Sequence, residues 1–190
     1  MPPPPSTAVT RRRLFRWSLW LLLAGVLAYG AWQGVLALVR SHTNTKIQGA
    51  VDRPLPPFRL VATDGTTFDS ATLAGRTVVL NFFRSRCEAC EREAPAIREL
   101  SRTVDPARVT VLGIFCDRLQ DYPADESAAT LARKAYAHTV LWADRAFADA
   151  FHGAGWTNVT PVTYVADGRG RIVRALRGAQ TVDALRAALP

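Results

Sequence analysis

Twenty-three consecutive residues, Trp17 to Val39, carry no charge and are bracketed by Arg16 and Arg40. At about 1.5 Å per helical residue such a run spans the roughly 30 Å hydrocarbon core of a bilayer, so the pattern predicts one transmembrane helix over 17–39. Residues 1–16 precede it as a leader that is proline-rich at Pro2 to Pro5 and has no means of building a core. Residues 40–54 are polar and end in proline, which predicts a tether. A globular domain is expected over 55–190. There Phe58 to Val61 and Thr67 to Asp69 flank the Asp64-Gly65 turn as a hairpin, and Thr77 to Phe83 reads as a central strand buried on both faces. A helix follows from Glu88 to Val104, with Ala89, Ile97 and Leu100 inward and Pro95 inside it. Val109 to Phe115 is the next buried strand. A helix capped by Asp125-Glu126-Ser127 is expected to reach Ala137, followed by a strand at Val140 to Trp142 and a short helix from Ala146 to Phe151. A second hairpin pairs Val162 to Ala166 with Arg171 to Leu176 across Asp167-Gly168-Arg169-Gly170, and Thr181 caps a terminal helix. Strand, helix, strand, helix, hairpin, helix is an α/β order, a central sheet with helices on both faces.

Composition bears on the charge of the partners and little else. In 190 residues the net charge is +8, but residues 1–40 hold Arg11, Arg12, Arg13, Arg16 and Arg40 with no acid, leaving +3 for the rest. Those 19 basic and 16 acidic residues are interspersed, without the basic stripe or aromatic platform that tracks phosphates, which argues against nucleic acid. The arginines ahead of the apolar run, against Arg40 and Lys46 behind it, predict an N-terminus inside the cytoplasm and an exported domain. Trp17, Trp20 and Trp32 suit the two interfaces. A cleaved signal peptide, cut near Ala28 to Ala31, is the alternative, although the run is longer than a usual signal core. Arg12-Arg13-Leu14-Phe15 also resembles a twin-arginine signal.

Cys87-Glu88-Ala89-Cys90 stands between the buried strand and the helix that follows it. A lone C-x-x-C also fits half a zinc site, but a closed structural site needs four ligands and no second C-x-x-C or H-x-x-H is present. At a helix N-terminus the first cysteine faces unsatisfied N–H groups and the positive end of the macrodipole, so Cys87 is expected to be the nucleophile. Cys90, one turn on and on the same side, is placed to resolve a mixed disulfide. Cys116 ends a buried strand and reads as a small hydrophobe. His42, His138 and His152 are scattered and receive no role, and Asn158-Val159-Thr160 is a formal glycosylation acceptor.

These residues resemble the extracytoplasmic thioredoxin-like reductases of the TlpA/ResA type over about 54–190. The features are Pro56-Pro57-Phe58, Asp64 to Phe68 with Leu73-Ala74-Gly75-Arg76, the strand Val78 to Phe83 leading into Cys87-x-x-Cys90-x-x-Glu93-x-Pro95, and Thr160-Pro161-Val162-Thr163 followed by Asp167-Gly168 and Gly178. The resemblance implies a thioredoxin-like fold, a mixed sheet flanked by helices behind one membrane helix. It also implies reduction of disulfides in exported proteins such as apocytochromes c. It places Glu93 near the pair as a proton acceptor for Cys90, and Pro161 in a cis peptide after Thr160 against the disulfide, where the loop would hold a substrate strand. No cofactor is expected beyond the redox-active disulfide; the implied partners are an exported protein with a disulfide or dithiol, a membrane electron donor and the bilayer. The chain departs from the family at Arg86 and Ala89, where Trp and Pro are usual. Arg84 and Arg86 either favour the Cys87 thiolate, with Glu88 and Glu91 opposing them, or stand as solvated surface charges.

Two other classes compete. A copper-delivery module would use both thiols with a histidine, but thioredoxin-like copper chaperones space their cysteines as C-x-x-x-C. A peroxidase of the peroxiredoxin kind usually carries Thr three residues before the reactive cysteine, where this chain has Arg84.

Overall fold

The computed structural model describes residues 7–152 and 159–190. They fall into two units, one ending at Thr43 and one running from Asn44 to Pro190. The first is helical. Helix α1 runs from Thr7 to Gln48, and its stretch Trp17–Gln48 is long and apolar enough, by length and composition, to cross a membrane. Trp17, Trp20, Leu21, Leu22, Leu27 and Leu38 along it are exposed.

The second unit is built on a five-stranded sheet. Its strands are β3 (Thr77–Phe83), β4 (Val109–Phe115), β5 (Val140–Trp142), β6 (Val162–Ala166) and β7 (Ile172–Arg177), in the order β5-β4-β3-β6-β7. β3, β4 and β5 are parallel, and β6 and β7 run antiparallel to their neighbours. A separate hairpin pairs β1 (Arg59–Val61) with β2 (Thr67–Asp69). Helices α2 (Glu88–Thr103), α3 (Ala124–Lys134), α4 (Arg145–His152) and α5 (Val182–Ala187) complete the unit.

Alternation along β3 divides the core. Val78, Leu80 and Phe82 face one way, into a cluster with Leu112, Ile114, Tyr164, Phe147 and Phe151. Val79 faces the other, against Ile97 and Leu100 of α2 and Leu185 of α5, and Phe83 caps that side beside Phe115 and the cysteines. Asn81 shares the face of Val79 and Phe83, so it points at α2. Phe83 has room because residue 113 of β4 is glycine: a Cβ there would come within 3.1 Å of the Phe83 ring.

Three expectations change. Residues 44–53, expected to belong to a tether, are built into the domain. Ile47 and Ala50 are buried in the larger cluster, Gln48 Nε2 donates to Ala175 O at 2.8 Å, and Asp52 N donates to Ile172 O at 2.8 Å. This segment covers the free edge of β7, whose backbone groups would otherwise lie open to another strand. A mostly polar sequence with only two fully buried apolar residues gave no hint of it. The other edge is closed by the β1–β2 hairpin, through an Ala62–Leu141 bridge. Second, α3 is not capped by Asp125, Glu126 or Ser127. It begins after Pro123 with no side-chain cap, and Ser127 turns inward instead. Third, α3 stops at Lys134, because Ala135 takes a left-handed conformation with φ 44° that ends the helix. The possible glycosylation site at Asn158 lies outside the described residues.

Candidate active site

β3 ends at Phe83 and α2 starts at Glu88 behind its N-cap Cys87, so Arg84, Ser85 and Arg86 turn the chain. Arg86 does this with φ 49°, a left-handed conformation that costs a non-glycine residue about 1 kcal/mol. The turn is held from beneath. Ser85 N and Oγ donate to the two carboxylate oxygens of Asp117, at 2.7 and 2.5 Å, and Ser127 Oγ donates to the same carboxylate at 2.7 Å. Asp117, Ser85, Ser127 and Thr130 are all buried, and this network ties the turn to β4 and α3.

Cys87 follows as the N-cap of α2, its sulfur accepting from Cys90 N at 3.2 Å. It forms a disulfide with Cys90, with Cα atoms 5.2 Å apart. Cys87 retains 8% of its surface and Cys90 only 1%, so an incoming thiol reaches Cys87 first. Thr160 closes over Cys87, with Oγ1 3.5 Å and O 3.7 Å from the sulfur, and its peptide bond to Pro161 is cis. Beside that turn opens a groove of about 750 Å³ lined by Thr160, Pro161, Val159, Gly178, Gln180 and Gln48.

Buried positions on α2 recur as Cys90, Glu93, Ala94, Ile97 and Leu100, one face of a 3.6-residue period. Glu93 therefore lies one turn below Cys90 on the same face. It is 1% exposed, accepting from Asn81 Nδ2 at 2.8 Å and Gln180 N at 3.2 Å, while Asn81 Nδ2 also reaches Thr163 Oγ1 at 2.9 Å. Burial pushes the Glu93 carboxyl up to about 7, against the hydrogen bonds from Asn81 and Gln180 and the Lys134 charge. It can therefore take or give a proton near neutrality.

Lys134, at the end of α3, is also buried: its ammonium donates to Cys90 O at 3.1 Å and lies 3.3 Å from Glu91 Oε1. Burial lowers its pKa, against the favourable charge and hydrogen bond of Glu91.

Of the two readings of Arg84 and Arg86, the contacts favour the one away from Cys87. Arg86 forms a two-pronged pair with Glu126 at 2.8 and 2.7 Å, in solvent, and Arg84 Nη1 donates to Tyr122 Oη at 2.7 Å. Cys116 is buried and bonded to no other cysteine. Burial and the Asp117 carboxylate push its thiol up to about 12, which keeps it protonated.

A family model described as the AhpC/TSA family matches residues 51–175, about two-thirds of the chain. The chain belongs to the AhpC/TSA family. Among curated relatives, the thiol-disulfide oxidoreductase ResA of Bacillus thuringiensis (strain Al Hakam) is 24% identical over 174 residues, covering 92% of each chain. ResA of Bacillus subtilis (strain 168) is 26% identical over 175 residues, covering 90% of this chain and 88% of the relative. A thiol:disulfide interchange protein of the thioredoxin family from Chlorobium tepidum superposes with a TM-score of 0.62 at 24% identity, over 73% of this chain and 94% of that one. The fold is thioredoxin-like, and with its C-x-x-C disulfide the chain is a thiol-disulfide oxidoreductase that is similar to the ResA proteins. Its substrates are proteins carrying a disulfide or a dithiol.

Of the five residues singled out from the sequence, Cys87 and Cys90 form the disulfide, Thr160 closes over Cys87 with Pro161 next in the chain, and Glu93 lies one helical turn from Cys90. Sequence reasoning missed Asn81, Asp117 and Lys134. Asn81 left a trace, a single amide in an otherwise apolar strand, which demands a buried partner. Asp117 and Lys134 left none, since each looks like an ordinary surface charge at the end of an element.

Proposed function

We propose that this protein is a membrane-anchored reductase of disulfides in exported proteins, serving cytochrome c maturation or a related process. The observation that carries the reading is Glu93, a buried carboxyl poised near neutral pH one helical turn from the less exposed cysteine. In the proposed cycle the Cys87 thiolate attacks a substrate disulfide. A Cys87–substrate bond forms and the first substrate sulfur leaves. Glu93 takes the proton of Cys90, whose thiolate attacks the Cys87 sulfur and expels the second substrate sulfur. Two electrons pass to the substrate, and the Cys87–Cys90 disulfide that remains is re-reduced by a membrane electron donor. The turn at Thr160 and Pro161, with the groove beside it, holds the substrate strand next to Cys87.

The resemblance to TlpA/ResA-type proteins supports the reductive direction. A reduction potential near or below that of thioredoxin, about −270 mV, is expected for the full-length chain in detergent; a value near the −120 mV of a strong periplasmic oxidant would overturn the direction. The apolar stretch of α1 supports the anchor, and the arginines ahead of it support an N-terminus inside the cytoplasm. A reporter fused after Pro190 should then be active only outside the cytoplasm, and activity inside would reverse the topology.

A further inference from the structure

Lys134 is a buried cation that the cycle above leaves unused. Lysine is almost never fully buried unless paired, and its side chain here has 0% exposure. A methionine of similar length would fill the same space without the cost of desolvating a charge. The ammonium donates to Cys90 O at 3.1 Å and stands 5.6 Å from the centre of the Phe83 ring, whose face favours a cation. Covalent geometry from that carbonyl brings the Cys90 sulfur within about 8 Å of the charge.

The surrounding charges do not cancel it. From α2, Glu91 lies 3.3 Å away, but its carboxylate is 42% exposed and is shared with Arg133 at 3.5 Å. Two cations thus divide one partly solvated anion. Glu93, also on α2, is half-neutral near pH 7, and Tyr136, just beyond α3, has its phenol held protonated by burial. On the β3 side, Phe83 and Asn81 carry no charge. A net positive charge therefore remains, little screened by water, on the Cys90 side of the disulfide. The helix N-terminus, by contrast, serves the Cys87 sulfur.

The geometry points to Lys134 as a positioning residue for disulfide exchange, one that stabilises the Cys90 thiolate as it forms and so sets the pH range in which mixed disulfides are resolved. This rests on the proposed role of Cys90 as resolver. The charge acts on Glu93 as well, in the same direction: it favours the carboxylate that receives the proton.

The test is single-turnover release. The reduced full-length chain, in detergent, is mixed with 5,5′-dithiobis(2-nitrobenzoate), and the second thionitrobenzoate, freed when Cys90 resolves the adduct on Cys87, is followed across pH. Lys134→Met should shift the rate profile to higher pH by about one unit, slowing release about tenfold near neutrality while leaving the alkaline plateau intact. Lys134→Arg should restore the profile. Glu91→Gln, which keeps Lys134 and removes its nearest carboxylate, should shift the profile to lower pH and gives a second reading if the methionine variant does not fold. An unmoved profile in either Lys134→Met or Glu91→Gln would overturn the proposal, and so would a lowered plateau without a shift. Cys90→Ser in the same assay should abolish the second release; release that persists there would refute the resolver assignment itself rather than the role of Lys134.

Discussion

Arg86 and Glu126, on the rim beside the disulfide, meet as a two-pronged pair in solvent, whereas Glu93 and Lys134, on the floor beneath it, are cut off from water. Both regions hold one acid and one base, yet they differ in what a charge is worth. On the rim, water and salt screen the pair, and exposed pairs of this kind contribute little to stability. On the floor the same types of group are desolvated and face each other and the cysteines across a medium of low polarisability. An acid and a base thus lie screened on one side of the sulfur atoms and desolvated on the other. The departure from the family at Arg86 is on the screened side, which explains how an arginine is tolerated next to Cys87.

The contrast can be broken most sharply at Glu93. An acid whose pKa rises from 4.5 to about 7 on folding binds more protons in the folded chain. The stabilisation this gives is complete below about pH 4.5 and is lost as the pH climbs through about 7, a difference of about 3 kcal/mol. In denaturant unfolding of the oxidised protein, the wild type should lose about that much relative to Glu93→Gln as the pH rises across this window. Parallel pH dependence in the two proteins would mean that the floor is wetter than described. Arg86→Gln sharpens the comparison from the other side: it should leave unfolding midpoints and reduction potential within experimental error at every pH, and a clear change in either would show that the rim charge reaches the sulfurs.

How much of this was legible beforehand follows the range of the interactions. Strands β3, β4 and β6 and helix α2 were readable because their periodicity and turn residues are local signals, and the cysteine pair was readable because both lie on one short stretch; Glu93 was placed beside it by the resemblance. Thr160 and Pro161 needed the resemblance to a family, since nothing within the chain's own pattern brings residue 160 to residue 87. Asn81, Asp117 and Lys134 depend on contacts across β3, β4, α2 and α3, and no local spacing encodes whether a lysine at a helix end will turn inward. The covering of the β7 edge by residues 44–53 was missed for the same reason. A tether and an edge-covering segment share a polar composition and differ only in what Ile47 and Ala50 meet.

The division of labour proposed for the disulfide is that Cys87 attacks and Cys90 resolves. Its most direct test compares the two serine variants for covalent capture of protein partners in the native membrane. Cys90→Ser should accumulate as a reducible complex with its substrate, because the less buried Cys87 thiolate attacks and nothing releases the adduct, while Cys87→Ser should capture little. Full reductase activity in both variants would contradict the account. So would an adduct carried by Cys116, whose buried thiol is held protonated up to about pH 12.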